Sequence, residues 1–100
     1  MHMLKKILRA LGFSKKVIRT DKPVGEVTHY YGHLNVAIVK FYQDMAAGKN
    51  MTFQGATSDF SQTVDSMQFD HKPISSAAKG QEVGIKVKDK VREGDKVYLN

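Results

Sequence analysis

The sequence contains no cysteine. That excludes disulfides, thiolate metal sites and cysteine nucleophiles together. It is compatible with a reducing compartment, and a cytoplasmic location is the expectation. No uninterrupted apolar run reaches about 18 residues, the length a membrane-crossing helix needs. The G-x-S-x-G turn of serine hydrolases is absent, as is the G-x-x-x-x-G-K-[ST] phosphate loop. A secretory leader is not expected, because Arg9 interrupts the apolar residues of 4–11 and no small-residue cleavage site follows. Acidic residues are scarce in one place only. Residues 1–23 hold seven basic residues and a single acid, Asp21, whereas residues 24–100 hold nine of each sign. The formal net charge of +6 therefore belongs to the N-terminal segment. Any attraction to an anionic partner is sited there first.

What is present divides at about residue 22. Leu4, Ile7, Leu8 and Leu11 recur at i, i+3, i+4 and i+7, which makes one apolar stripe on a short helix. Lys5, Lys6 and Arg9 lie off that stripe, and Gly12 stands where helices commonly end. Residues 1–22 are thus expected to form a basic extension, as a short amphipathic helix or a disordered arm. Residues 23–100 form the second unit, and their texture is β. Strands are expected over 24–31, 34–42, 51–56, 59–69, 81–88 and 95–99, rich in Val, Ile, Phe, Tyr and Thr. Gly32-His33, residues 44–50 and residues 92–95 punctuate them as turns.

Alternation within the strands sharpens this reading. Val83, Ile85 and Val87 share one parity, with Gly84, Lys86 and Lys88 on the other. Within 59–69, Phe60 and Val64 share a parity that Met67 and Phe69 do not. One inserted residue near Asp65 and Ser66 would place all four on the core face, so a β-bulge is predicted there. Short strands, neat turns and little helix point to a small closed antiparallel barrel rather than a sandwich.

The chemistry-bearing residues are dispersed. His29 and His33 flank a hairpin turn, where a four-residue spacing has no metal meaning, and His71 is remote in sequence. Ser61, Ser66, Ser75 and Ser76 have no recognisable partner base. Asp65, Asp70, Glu82, Asp89, Glu93 and Asp95 fall mostly at turns or on outward parity, as solvated or turn-forming groups do. Lys86, Lys88 and Lys90 form an outward ladder. In a barrel this small little structure is left to support a catalytic constellation, so the reading is not an enzyme, with no metal and no cofactor.

One ordered set of residues carries a resemblance. Val64, Ser66 and Met67, then Ala77, Gly80, Val83 and Gly84, then Arg92, Gly94 and Asp95, resemble the second domain of translational GTPases such as elongation factor Tu. The likeness extends over roughly residues 24–99, and a stand-alone family of translation elongation factor-like proteins looks similar. It implies a six-stranded antiparallel closed barrel. Without a phosphate loop it implies no GTP binding. In elongation factors this barrel contacts the aminoacylated end of tRNA, and the matching segment here is 68–72. Similar barrels also occur as appendages of collagenase-like peptidases. The resulting expectation is a module that binds RNA, either tRNA or a ribosomal surface. Lys5, Lys6, Arg9, Lys15, Lys16 and Arg19 would make phosphate contacts, joined by Gln68, His71 and Lys72. The competing expectation is a protein-interaction module that docks onto a partner and binds no nucleic acid.

Overall fold

The computed structural model describes residues 22–100. The amphipathic stripe of residues 4–11 lies outside the described residues, as do Lys5, Lys6, Arg9, Lys15, Lys16 and Arg19. The described chain is all β. Its strands are β1 (Gly25–Tyr31), β2 (Val36–Phe41), β3 (Met45–Ala46), β4 (Lys49–Gln54) and β5 (Asp59–Val64). They continue with β6 (Met67–Phe69), β7 (Lys72–Ile74), β8 (Ser76–Ala77), β9 (Glu82–Lys86) and β10 (Lys96–Leu99). Eight of them make one curled antiparallel sheet in the order β5-β4-β10-β1-β2-β9-β6-β7, and β3 pairs with β8 separately.

The curl follows from which residues fill its inside. Val27, Ala37, Val39, Phe41, Met51, Phe53, Val64, Met67, Val83, Ile85 and Val97 are fully buried, drawn from seven strands of the large sheet. Except at Thr52, which is buried between Met51 and Phe53, they alternate with exposed or half-exposed neighbours, so each strand contributes one face to a single core. A slip of one residue would turn that face outward, which fixes the register. The ladder between β1 and β2 shifts between Val27 and His29. That irregularity adds local twist where the sheet has to bend. Val64, Met67, Val83 and Ile85 are all in the core, as their parity requires.

Three expectations are corrected. The predicted strand 59–69 is two strands, because Asp65 and Ser66 leave the ladder. β5 pairs with β4, whereas β6 pairs with β9 and β7. A sharp bend therefore replaces a bulge within one ladder, and the six expected strands become an eight-stranded curled sheet plus a two-stranded one. Residues 70–79, where no strand is expected between 59–69 and 81–88, contain β7 and β8. Asp70 and His71 both have positive φ, 55° and 64°, which is the type I′ geometry of a two-residue hairpin loop between Phe69 and Lys72. Finally, Phe69 is 45% exposed whereas Met67 is fully buried. Both have one parity, but the β6–β7 hairpin carries Phe69 past the end of the core.

His71 is the larger cost in that turn, because a β-carbon at positive φ is disfavoured and glycine is not. His71→Gly is expected to raise stability by about 0.5–1 kcal/mol, read from the midpoint of urea unfolding. A loss of stability would mean that the imidazole makes a contact of its own.

Candidate functional site

The bend at Asp65 and Ser66 opens a gap beside β9. Past the single β6–β9 pairing at Gln68 and Gly84, the outer edge of residues 86–88 faces β5 with no backbone ladder between them. Gln62 spans the gap. Its Nε2 donates to the Lys86 carbonyl at 2.8 Å, and its Oε1 accepts from the Lys88 N–H at 2.8 Å. The partners fix the amide's orientation, since a carbonyl only accepts and an N–H only donates. A groove of about 440 Å³ runs here, lined by Gln62, Thr63, Asp65, Ser66, Lys86, Val87 and Lys88. A second hollow of about 280 Å³ shares Ser66 and Lys86 with it and is bounded by Leu34, Val36, Gln68 and Gly84. Leu34 is one of four large hydrophobic side chains exposed among the described residues.

Gly84 forms part of the floor. A β-carbon there would meet Val36 Cγ1 at 3.5 Å, Ile38 Cδ1 at 3.8 Å and the Gln68 carbonyl oxygen at 3.9 Å. Those are ordinary contacts, so the packing does not force a glycine. Its effect is to deepen the hollow by one methyl group.

A polar knot joins Ser58, Arg92 and Asp95. Asp95 is buried, and its Oδ2 accepts from the Ser58 hydroxyl at 2.5 Å and from the Arg92 N–H at 2.9 Å. Arg92 and Asp95 close the expected turn with a further backbone bond, Asp95 N–H to Arg92 carbonyl, at 3.0 Å. Charge-assisted bonds of this kind are roughly twice as strong as neutral ones. No buried polar side-chain atom among the described residues lacks a partner.

On the outer face, Lys96 Nζ donates to Tyr42 Oη at 3.3 Å, and Tyr42 Oη donates in turn to Glu26 Oε1. The phenol hydrogen bond, followed by the Lys96 charge, lowers the Glu26 pKa from its ordinary value. Burial, then the bond to Glu26, raises that of Tyr42. The bond to Tyr42 is the main cause that raises Lys96. A lowered carboxylate contributes stability above its unfolded pKa and loses it as pH falls through the folded one. The raised Tyr42 and Lys96 contribute below theirs and lose it as pH rises. Stability is therefore expected to fall at both ends, below the ordinary carboxylate range and above about 10. Tyr42→Phe should flatten both limbs in urea unfolding measured across pH; identical profiles for the two proteins would show that the triad contributes nothing.

The residues expected to act together do so only in part. Gln68, His71 and Lys72 share the β6–β7 hairpin and are exposed. His29 Nδ1 lies 3.1 Å from Glu93 Oε2, and its ring packs on Tyr31 at a centroid distance of 4.3 Å. No serine hydroxyl among the described residues is hydrogen-bonded to a histidine ring. No group of three or more His, Asp or Glu among them is placed to hold a metal ion. No helix among them is long and apolar enough to cross a membrane. Gln62 was not singled out by the sequence reading. A signal was there, because it stands on the inward parity between Phe60 and Val64, where an apolar residue belongs.

Comparison with known proteins redirects the functional reading. No family model matches the chain. An uncharacterised protease of Methanocaldococcus jannaschii is 38% identical over 77 residues, which are 76% of this chain and 19% of that protein. A collagenase of Porphyromonas gingivalis is 31% identical over 77 residues, 75% of this chain and 21% of the collagenase. The chain spans about one-fifth of the length of these curated relatives. Its fold is similar to the C-terminal domain of a protein described as a U32 peptidase from Geobacillus thermoleovorans. The TM-score is 0.74 at 19% identity, over 85% of this chain and 99% of that domain. A selenomethionine form of the same domain gives 0.72 at 21% identity, over 78% and 99%.

These likenesses overturn the translation-factor expectation. The relatives are named as a protease and a collagenase, and the structural likeness is to a peptidase domain. The assignment to an elongation factor-like family, to translation and to RNA binding is corrected accordingly. So is the reading of a module with no part in enzymology. The reason is physical. Ser66, Met67, Gly80, Gly84 and Asp95 set a bend, turns and a buried knot, so they report a barrel-like fold, and one fold serves many functions.

Proposed function

We propose that the chain is the C-terminal-type β-domain of a U32-type peptidase and takes part in peptide hydrolysis by presenting substrate to a catalytic portion. The observation that carries this is the 38% identity to a protease over three-quarters of the chain. The groove beside β9 supports it, because a strand edge bonded by a side chain and not by a neighbouring strand is one an extended polypeptide can pair with. The finer architecture belongs to the same reading. β5 and β6 act as one bent strand that joins the β4 end of the sheet to β9, which makes a six-stranded closed barrel with β7 as an outlying hairpin arm. One fact supports that closure: only two residues separate β5 from β6, which pairs with β9 at Gln68 and Gly84.

The test is a graft. In the Porphyromonas gingivalis collagenase, the segment matching this chain is deleted, or replaced by residues 24–100. Hydrolysis of labelled gelatin is then compared. Restored hydrolysis is the expected result. A graft that folds yet is as slow as the deletion contradicts the proposal.

A further inference from the structure

The Gln62 amide occupies a particular pair of backbone groups. It accepts from the Lys88 N–H and donates to the Lys86 carbonyl. Those two groups flank Val87, on the edge opposite the Val87 N–H, which donates to the Asn35 carbonyl. This is the pattern by which one residue of a parallel neighbouring strand bonds, using its own N–H and C=O. A side-chain amide has the same donor and acceptor as a peptide unit. Gln62 is thus a one-residue stand-in for a strand that the fold does not supply.

We propose that this groove is a peptide-binding slot in which the main chain of an extended, acidic peptide displaces the Gln62 amide and pairs with residues 86–88. This deepens the peptidase reading and rests on it. Three features set the occupant. The displaced groups demand a main chain with a free N–H, which excludes proline at the pairing position. Lys86 and Lys88 line the groove against Asp65 alone, so carboxylate side chains at alternate positions are favoured. The adjoining hollow over Gly84, walled by Leu34 and Val36, takes a small apolar side chain two steps before the first carboxylate, on the same face of the bound strand. Gln62 lowers the apparent affinity by holding the slot closed part of the time, as any competing conformer does.

The probe is fluorescein-labelled Val-Thr-Glu-Thr-Glu-Thr, with an analogue N-methylated at the central residues. Binding to the full chain is followed by anisotropy, with amide chemical shifts locating the site. Saturable binding is expected, with shifts at residues 62, 86 and 88. Gln62→Ala should tighten it by about threefold or more, since the internal competitor is gone. N-methylation should weaken it by about tenfold, the value of one lost main-chain bond. Ser66→Trp, at an exposed position lining both hollows, should abolish it without loss of fold. No saturable binding to either wild type or Gln62→Ala overturns the proposal. So does binding that N-methylation and Ser66→Trp leave unchanged, or folded Gln62→Ala that binds more weakly. None of these readouts requires peptidase activity. A slot that fails while the collagenase graft succeeds would therefore remove this inference and leave the family reading standing.

Discussion

Gly55→Ala is expected to lower the unfolding free energy by about 3–5 kcal/mol, the largest loss for a methyl group added at any of the described glycines. A β-carbon on Gly55 would lie 1.9 Å from Asp95 Oδ1 and 2.5 Å from its Cγ. Something has to shift at that distance, and the carboxylate in the way is buried and held by two partners through Oδ2. Relief of the clash breaks the bonds from Ser58 and Arg92, and a buried carboxylate left without them is worth more than the steric term. Gly55 also donates its N–H to the Ser58 carbonyl at 2.8 Å, so the displaced backbone carries that turn with it. Urea unfolding gives the direct measure. A double-mutant cycle gives the cause: in an Asp95→Ala background the Gly55→Ala cost should shrink by about 2 kcal/mol or more. Additive costs would show that the glycine is needed for some reason other than the carboxylate.

Met67→Ala should destabilise by about 2–4 kcal/mol, whereas Phe69→Ala should stay within about 0.5 kcal/mol. The two residues are two apart on one strand and share a parity. Met67 is fully buried and pairs across from half-buried Ile74, while Phe69 pairs with exposed Lys72 near the hairpin loop. Transfer and cavity terms therefore apply to the first and not to the second. Equal losses, read from the same unfolding curves, would mean that the hairpin arm lies against the core rather than beyond it.

This pair also shows how far the sequence could be read. The parity switch between Val64 and Met67 located the irregularity at Asp65 and Ser66 correctly. It could not say whether one residue is inserted in a ladder or the strand changes partners, because both restore the core face. Partner choice is a long-range property: β5 meets β4 and β6 meets β9. The same gap hid the β6–β7 hairpin. Asp70 and His71 lack the glycine that usually marks a type I′ loop, and Pro73 argued against a strand there. An edge position resolves that conflict, because β7 lies at the end of the sheet order, where a missing N–H on the outer side has no neighbour to bond. Asp95 was legible as a turn residue and not as a buried one, since nothing local reveals that Ser58 packs against it.

The functional misreading has a different origin. The ordered set from Val64 to Asp95 is a fold signature, and fold signatures do not carry chemistry. Gln62 was the informative residue, a polar side chain at an inward position. Its meaning emerged only when the groups it bonds were seen to be a strand edge with no neighbouring strand.

Gelatin hydrolysis by the Porphyromonas gingivalis collagenase in three forms tests the account most directly: intact, with the matching segment deleted, and with residues 24–100 of this chain in its place. The deletion is expected to lose about tenfold or more in kcat/KM, and the graft to recover to within about threefold of the intact enzyme, a difference of more than 0.5 kcal/mol in transition-state binding being readily resolved. A folded graft that stays at the level of the deletion would contradict the assignment of this chain to peptide hydrolysis.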